Sequence, residues 1–178
     1  YFYLMYIKKE DLTIVIVAFE SEHVIHECIK SIDVELDIII IDNSNNFKLK
    51  NKIEKKYKNT KFILSSENLG MGPGNNLGIE NVKTNYARII NPDVILEKNT
   101  INELIEASKK IDKFAIIAPI SDNRDYPNYK LFKKTFSSNI NPFKVKSIDG
   151  FAMLFNLKRL KEIKNFYFFD ENFFLYLE

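Results

Sequence analysis

Short apolar runs alternate along this chain with longer stretches in which apolar residues recur every three or four positions. The runs are typical of buried strands, and the recurring pattern is typical of amphipathic helices. The predicted strands cover 12–18, 36–41, 61–64, 86–90 and 114–118. The predicted helices cover 22–32 (with Ser21 as N-cap), 47–57, 72–82 and 100–111. This alternation predicts an α/β fold with a mainly parallel central sheet and helices on both faces.

The regular pattern stops after the fifth predicted strand. Turn-forming residues such as Asp122, Asn123 and Asp125 follow, and we predict a long loop over 119–144. Residues 145–157 look like a strand that contains Gly150, and an aromatic tail follows over 166–177. Because no linker or repeat interrupts the chain, we predict one domain over residues 1–178.

Composition excludes several classes of protein. Apolar residues make up 46% and charged residues 28%, as in a soluble globular domain, and a net charge of +2 gives no reason to expect nucleic acid as a partner. No apolar stretch reaches the roughly 20 residues that a transmembrane segment needs. A single cysteine, Cys28, suits a reducing compartment. We therefore expect a cytoplasmic protein, and leave open both peripheral attachment at the cytoplasmic membrane face and the oligomeric state.

The candidate ligand-binding residues, most of them small or polar, lie where the predicted parallel strands end. They are Ala18, Phe19 and Glu20 after the first strand, Asp42, Asn43 and Ser44 after the second, Glu67, Asn68 and Gly70 after the third, and Asn91, Pro92 and Asp93 after the fourth. Ligands of open parallel sheets bind beyond the carboxyl ends of the strands. The pattern therefore predicts a ligand site at this edge of the sheet.

Each of these segments also has a purely structural explanation. Residues 42–46 have the composition of a turn, and Asp93 can cap or start one. The segment 68–76, rich in glycine and asparagine, is either a flexible connection into a helix or a place where backbone N–H groups approach an anion. Taken one at a time, these residues leave the alternatives open.

Taken together, six motifs in one order carry a resemblance to a known family. They are Val17-Ala18-Phe19-Glu20, Ile41-Asp42-Asn43-Ser44, Asn68-Leu69-Gly70 through Gly78-Ile79, Asn91-Pro92-Asp93-Val94, Asp149-Gly150-Phe151-Ala152-Met153, and the run from Phe169 to Glu178. In this order they resemble glycosyltransferase family 2, which has the GT-A (Rossmann-like) fold of nucleotide-diphospho-sugar transferases. Within that family, the motifs are similar to the rhamnosyltransferase-like branch.

The resemblance implies a role for each matching position. The positions that match the nucleotide-binding residues are Ala18, Phe19, Glu20, Asp42, Asn43, Asn68, Gly70, Gly72, Asn76 and Asn91. Among these, Asp42 matches the aspartate that hydrogen-bonds the pyrimidine base. Asp149, Gly150 and Ala152 match the pocket for the donor sugar and acceptor. Asp93 matches the ligand of a divalent metal, Mg²⁺ or Mn²⁺, and Glu178 matches the first acid of a catalytic Glu-Asp pair.

The reaction is implied in the same way. An inverting, metal-assisted enzyme of this kind moves a sugar from a UDP- or dTDP-sugar to a saccharide or lipid-linked acceptor, in the assembly of cell-envelope polysaccharide or lipid-linked glycan. A base deprotonates the acceptor hydroxyl, which attacks the anomeric carbon as the nucleoside diphosphate leaves. The metal neutralises the charge that grows on this leaving group.

Two departures from the family pattern lead to an alternative. Asn91-Pro92-Asp93 stands where the family usually has Asp-x-Asp, which implies a weaker metal site. The sequence ends at Glu178, so we expect a chain truncated at its C-terminus, without the catalytic base or the acceptor region. The alternative function is a non-catalytic remnant that binds a nucleotide sugar. A dinucleotide oxidoreductase or a sugar nucleotidyltransferase is disfavoured, because no glycine-rich turn follows the first strand.

Overall fold

Strands and helices alternate along most of the protein, as the apolar pattern predicts. The structure is a computed structural model that describes residues 7–33, 35–111, 113–121, 123, 125, 127–132, 142–163 and 168–174. Its strands are β1 (Leu12–Ala18), β2 (Asp37–Asp42), β3 (Thr60–Leu64), β4 (Tyr86–Ile90), β5 (Ile116–Ile117), β6 (Tyr129–Lys130), β7 (Ser147–Ile148) and β8 (Ala152–Asn156). Its α-helices are α1 (Ile25–Ser31), α2 (Phe47–Lys56), α3 (Met71–Glu80), α4 (Thr100–Lys109) and α5 (Leu157–Leu160). None of the helices in these ranges is long and apolar enough to cross a membrane.

Within the described ranges, the main sheet has six strands in the order β3-β2-β1-β4-β8-β5. β3, β2, β1 and β4 run parallel to one another. Every residue of β1 is buried, because helices cover both faces of the sheet. α1, α2 and α4 pack on one face, and α3 and α5 pack on the other. The predicted α/β class, with a mainly parallel sheet and helices on both faces, is confirmed.

The prediction was wrong about the far side of the sheet. Residues 145–157 are not one strand: β7 and β8 flank a turn at Gly150, and α5 begins directly after β8. β8 runs antiparallel between β4 and β5. The fifth predicted strand, 114–118, is reduced to the two residues of β5 at the edge. An apolar run indicates that a strand is buried, but it does not indicate whether the neighbouring strand runs parallel or antiparallel to it.

The long loop predicted over 119–144 has some structure of its own. It contains β6, which pairs with β7, and residues 133–141 and Asp122 lie outside the described residues. The buried Asn128 side chain closes the first part of the loop, because its Nδ2 donates to the Pro119 carbonyl at 3.0 Å and its Oδ1 accepts from the Ser121 N–H at 2.7 Å. Side-chain amides that bond to nearby backbone in this way stabilise turns without any periodic signal.

The N-cap predicted at Ser21 is also wrong. α1 begins only at Ile25, after a turn, and the N-cap residue Val24 makes no capping side-chain bond. The Ser21 hydroxyl instead donates to the Phe19 carbonyl at 3.0 Å and accepts from the Phe19 N–H at 3.2 Å. Ser21 therefore shapes the turn that follows β1, at the edge of the sheet where a ligand site is predicted.

Two glycines allow α3 to lie unusually close to the sheet. A Cβ placed on Gly78 would come within 2.4 Å of Val15 Cγ1, and one on Gly74 within 2.9 Å of Val17 Cγ1. Both valines lie in β1, and their side chains stand on the face that α3 covers. Close packing against β1 thus explains these two glycines of α3.

Candidate nucleotide-sugar site

The topology of the parallel strands defines where a ligand crevice lies. From β1 the chain moves outward through β2 to β3, and then returns to the other side of β1 to form β4. The strand order therefore switches direction between β1 and β4, and crevices in such sheets lie beyond the carboxyl ends of the strands at this point. These ends are Ala18 and Ile90, and the residues after them are Phe19–Ser21 and Asn91–Asp93.

The loops after β1 and β2 are joined by a hydrogen-bonded chain. Glu20 has a positive φ of 50°, and its N–H donates to Ser44 Oγ at 3.0 Å. Ser44 Oγ in turn donates to Asp42 Oδ1 at 2.7 Å, and the Asn46 N–H donates to Asp42 Oδ2 at 2.6 Å. Asp42 is fully buried, so its carboxylate fixes the shape of the turn 42–46. Each carboxylate oxygen keeps a further lone pair, and base binding by Asp42 stays a prediction.

Asn43 and Gly70 connect this turn to the start of α3. Asn43 is buried, and its Nδ2 donates to the Gly70 carbonyl at 3.0 Å. The Gly70 N–H donates to Oδ1 of the exposed Asn68 at 3.1 Å. Gly70 has a φ of 82°, a left-handed conformation that glycine adopts at no steric cost. The turn 68–70 is therefore held from both sides, next to the ends of β1 and β2.

The aromatic tail lies against α3 and covers its beginning. The Met71 N–H donates to the Phe174 carbonyl at 3.0 Å, and a Cβ on Gly70 would lie only 2.3 Å from the same oxygen. The N–H groups at a helix N-terminus can bind an anion only while they are free. Here the first N–H of α3 is satisfied by the chain itself, and Pro73 has none to offer.

The turn after β4 carries the predicted metal ligand. Asp93 is exposed, and the Asn91 N–H donates to the carbonyl of Phe151, the residue before β8, at 3.0 Å. Asn91 Oδ1 is buried and has no hydrogen-bond partner among the described residues. An amide oxygen and a carboxylate two residues apart are the hard oxygen ligands that Mg²⁺ and Mn²⁺ prefer, so the residues fit the metal. No cluster of three or more His, Cys, Asp or Glu side chains occurs within the described ranges.

The antiparallel direction of β8 brings the predicted sugar pocket to the same edge. Ala152, the buried first residue of β8, pairs with Ile90, the last residue of β4. Asp149 and Gly150 precede it and are exposed beside the Asn91 turn. The two stretches are far apart in sequence, and only a strand that starts where β4 ends can join them. Glu178 lies outside the described residues, and its role stays a prediction.

Three buried amide oxygens near this edge are without a donor in the described part of the chain. They are Oδ1 of Asn43, Asn75 and Asn91. Unpaired buried acceptors are rare in proteins, so each one is a candidate partner for a donor or cation from outside the chain. Sequence reasoning missed Asn75, and it assigned Gly72 and Asn76 to the nucleotide. Gly72 is buried in the first turn of α3, and the Asn76 amide bonds to the tail at Phe169 and Glu171.

Cys28 lies beneath the turn that carries Asp93. Its Sγ is 3.7 Å from the Asn91 carbonyl oxygen, and burial, aided by the Asp93 charge, raises the thiol pKa to about 12. We expect iodoacetamide at pH 8 to modify Cys28 only after denaturation, which mass spectrometry would show. The raised pKa adds stability that is fully present below pH 9, the ordinary thiol value, and is lost as pH rises toward 12. The difference in unfolding free energy between the parent and Cys28→Ala should therefore become smaller between pH 9 and 12. In the labelling experiment, rapid modification of the native protein by iodoacetamide would contradict the burial of Cys28.

Comparisons with known proteins agree with this architecture. The mannosyltransferase PcManGT from Pyrobaculum calidifontis, solved with GDP-Man and Mn²⁺, matches with a TM-score of 0.65 at 11% identity over 86% of this chain and 46% of that one. Residues 1–349 of TarS from S. aureus, solved with UDP, match with a TM-score of 0.63 at 14% identity over 92% of this chain and 51% of that one. At such identities the likeness shows the fold alone, and that fold is GT-A.

The sequence comparisons identify the family. The hexosyltransferase Agl10 of low-salt glycan biosynthesis in Haloferax volcanii is 28% identical over 120 residues, which are 65% of this chain and 38% of that protein. The model of the family named Glycosyl transferase family 2 matches residues 13–173. The chain therefore belongs to glycosyl transferase family 2. It spans about half or less of the length of the relatives described above.

Proposed function

We propose that this chain forms the donor-binding part of an inverting glycosyltransferase, which moves a hexosyl or deoxyhexosyl group from a nucleoside-diphosphate sugar to a saccharide or lipid-linked acceptor. One observation supports the proposal most: residues 18–21, 91–93 and 149–152 come together at the edge of the sheet where β1 and β4 end. A donor has a base, a diphosphate and a sugar to hold. Three separate segments at one edge are suited to hold them side by side.

We assign the base and ribose of the donor to the residues at the carboxyl ends of β1 and β2. Phe19 is half exposed next to Glu20, so its ring offers an apolar surface on which a planar base can stack. The second lone pairs of Asp42 and the unpaired Asn43 oxygen are acceptors suited to the N–H of a uracil or thymine ring. We propose a pyrimidine donor, UDP- or dTDP-sugar, on this basis.

The diphosphate and sugar are assigned to the side of β4 and β8. Asp93, with Asn91 Oδ1, would hold a divalent cation, which when bound supplies positive charge to the diphosphate leaving group. Of the relatives, PcManGT was solved with Mn²⁺. Asp149 and Gly150 are exposed beside this turn, and together with the buried Ala152 they are proposed to line the place of the sugar and the acceptor hydroxyl. Glu178 is proposed as the first acid of the pair near that hydroxyl.

A thermal-shift titration with UDP, dTDP, GDP and ADP, each with and without Mn²⁺, tests the donor site. At a ligand concentration of 100 times Kd, binding to the native state adds about 2.7 kcal/mol of stability. We expect a shift with a pyrimidine diphosphate that grows with Mn²⁺. In Asp93→Ala the Mn²⁺-dependent part of the shift should disappear, because the cation loses its carboxylate ligand.

Asp37→Ala is the matched control, because this exposed aspartate lies at the opposite, amino end of β2. It should keep the full Mn²⁺-dependent shift. Equal losses in both variants would point to general electrostatics rather than to a ligand at Asp93. If no nucleotide shifts the melting temperature of the parent protein, the donor site is refuted. Binding without release of sugar from any donor would favour the non-catalytic remnant.

A further inference from the structure

The side chain of Asn76 clamps the tail of the chain to the middle of α3. Its Nδ2 donates to the Phe169 carbonyl at 3.0 Å, and its Oδ1 accepts from the Phe169 N–H at 3.1 Å. The amide thus pairs with both backbone groups of one residue, as a neighbouring strand would, across 93 positions of sequence. The same Nδ2 also donates to Glu171 Oε1 at 2.9 Å. An amide that satisfies three partners in one segment fixes the position of that segment.

The clamped segment, residues 168–174, is called the strap below. It is anchored at one end by Phe169, which is buried and packs against Phe155 with ring centroids 5.7 Å apart. From there it runs back along α3 to the start of the helix, where the Phe174 carbonyl accepts the Met71 N–H at 3.0 Å. Gly70, the N-cap residue, has no side chain and makes no capping hydrogen bond of its own. The strap therefore provides the cap for α3.

Two hydrogen bonds of Asn43 connect Gly70, the residue before this capped N–H, to the end of β1. The Gly70 carbonyl accepts from Asn43 Nδ2 at 3.0 Å, and the Asn43 N–H donates to the Ala18 carbonyl at 2.8 Å. Phe174 also fills the space beside Gly70 that any side chain would need. If the strap leaves, Gly70 loses its packing neighbour and Met71 loses its acceptor. The turn 68–70 would then be free to move, next to the place where the base and ribose are assigned.

We propose that Asn76 is a positioning residue of the donor site rather than a ligand of the nucleotide. It holds the strap on α3, the strap caps Met71 and closes over Gly70, and this fixes the turn 68–70 against Asn43. The link to nucleotide binding rests on the proposed function, but the link from Asn76 to Met71 does not. The consequence is that strap docking and nucleotide binding strengthen each other, because both require the same conformation of the turn.

Amide hydrogen exchange of the Phe169 and Met71 N–H groups tests the first link in Asn76→Ala. Both amides should exchange about tenfold faster or more, since two backbone hydrogen bonds of the strap are lost at once. Asn81→Ala is the matched control: Asn81 lies at the other end of α3 and bonds to Leu77 and Lys61, so its loss leaves the strap in place. Faster exchange at Phe169 with Met71 still protected would overturn the proposal.

Two substitutions at the contact between Asn76 and Glu171 distinguish strap docking from a general loss of stability. N76D places a carboxylate against both Glu171 and the Phe169 carbonyl and should loosen the strap at pH 7, and E171Q can relieve only the first of these contacts. Adding E171Q restores the contact with donor and acceptor exchanged, so Met71 protection should return in part. Recovery in the double variant alone supports the clamp. If the double variant exchanges as fast as N76D, the side-chain contact does not position the strap.

Calorimetric titration with UDP and Mn²⁺ tests the second link. The affinity should fall about tenfold in Asn76→Ala, stay unchanged in Asn81→Ala and recover in part in the double variant. An unchanged affinity in Asn76→Ala, with Met71 exposed to exchange, would overturn the link between the strap and the donor site. If the parent itself binds no nucleotide, the proposed function fails, and hydrogen exchange still decides whether Asn76 positions the Gly70 turn.

Discussion

Gly78→Ala is expected to lower the free energy of unfolding by about 2 kcal/mol, although alanine is the better helix former. The added methyl would lie 2.4 Å from Cγ1 of Val15, which is fully buried in the centre of β1. Valine has a stiff χ1, so α3 or β1 must shift, and overpacking of this kind costs roughly 3 kcal/mol at its upper range. The helix propensity of alanine returns about 1 kcal/mol. Urea denaturation, followed by circular dichroism, measures the difference.

Gly74→Ala and Gly150→Ala provide a graded control for this prediction. The methyl on Gly74 would meet Val17 at 2.9 Å, and the one on Gly150 would meet only the flexible end of Met153 at 3.5 Å. We expect an intermediate loss for Gly74→Ala and a change within about 0.5 kcal/mol for Gly150→Ala. Val15→Ala combined with Gly78→Ala should cost less than the sum of the single changes, by about 1 kcal/mol or more. Strict additivity would mean that Val15 is not the obstruction.

Arg88→Met is expected to raise the free energy of unfolding by about 1–3 kcal/mol. Arg88 is 1% exposed in the middle of β4, between Ile14 of β1 and Leu154 of β8. Its Nε and Nη1 are buried and find no acceptor among the described residues, and burial lowers the guanidinium pKa to about 10. An unsatisfied buried donor costs about 1–3 kcal/mol. Methionine fills a similar length with apolar atoms, and such replacements of buried charges are often stabilising.

Arg159→Met is the control for the arginine prediction, because Arg159 is exposed on α5. Its replacement should change the unfolding free energy by no more than about 0.5 kcal/mol. Both variants can be compared with the parent in one series of urea titrations. A clear loss of stability in Arg88→Met would show that the guanidinium has an acceptor after all, and that the core around β4 depends on its charge.

The parallel part of the fold could be predicted from sequence because its signals are local. The first four strands are mostly apolar, although β3 contains Lys61 and β4 contains Arg88, and small or polar residues at or after their ends lie at one edge of the sheet. Ala18 and Asp42 even pair directly across β1 and β2. A parallel strand that is covered on both faces is mostly apolar, and such a run can be recognised in the sequence.

The position of β8 could not be predicted, because nothing in the run 152–156 says that it lies beside β4. Pairing partners separated by more than 60 residues leave no periodic trace in either segment. The same holds for Asn76. Asn76 lies in a glycine- and asparagine-rich segment that fits a ligand contact, and nothing in that segment indicates the hydrogen bonds of its amide to Phe169. Cap and clamp contacts of this kind depend on tertiary structure alone.

The position of β8 between β4 and β5 has a consequence for how the chain reaches its fold during synthesis. A ribosome releases β1 to β4 long before β8, and these four strands contact one another with helices already in between. Until β8 arrives, β4 is an open edge with unpaired backbone groups and buried-type residues such as Ile89 exposed to other chains. The nascent protein therefore passes through a stage that favours chaperone binding and aggregation. A chain truncated before residue 152 should keep this unpaired edge and stay prone to aggregation, whereas a chain truncated after residue 156 should pair β4 with β8.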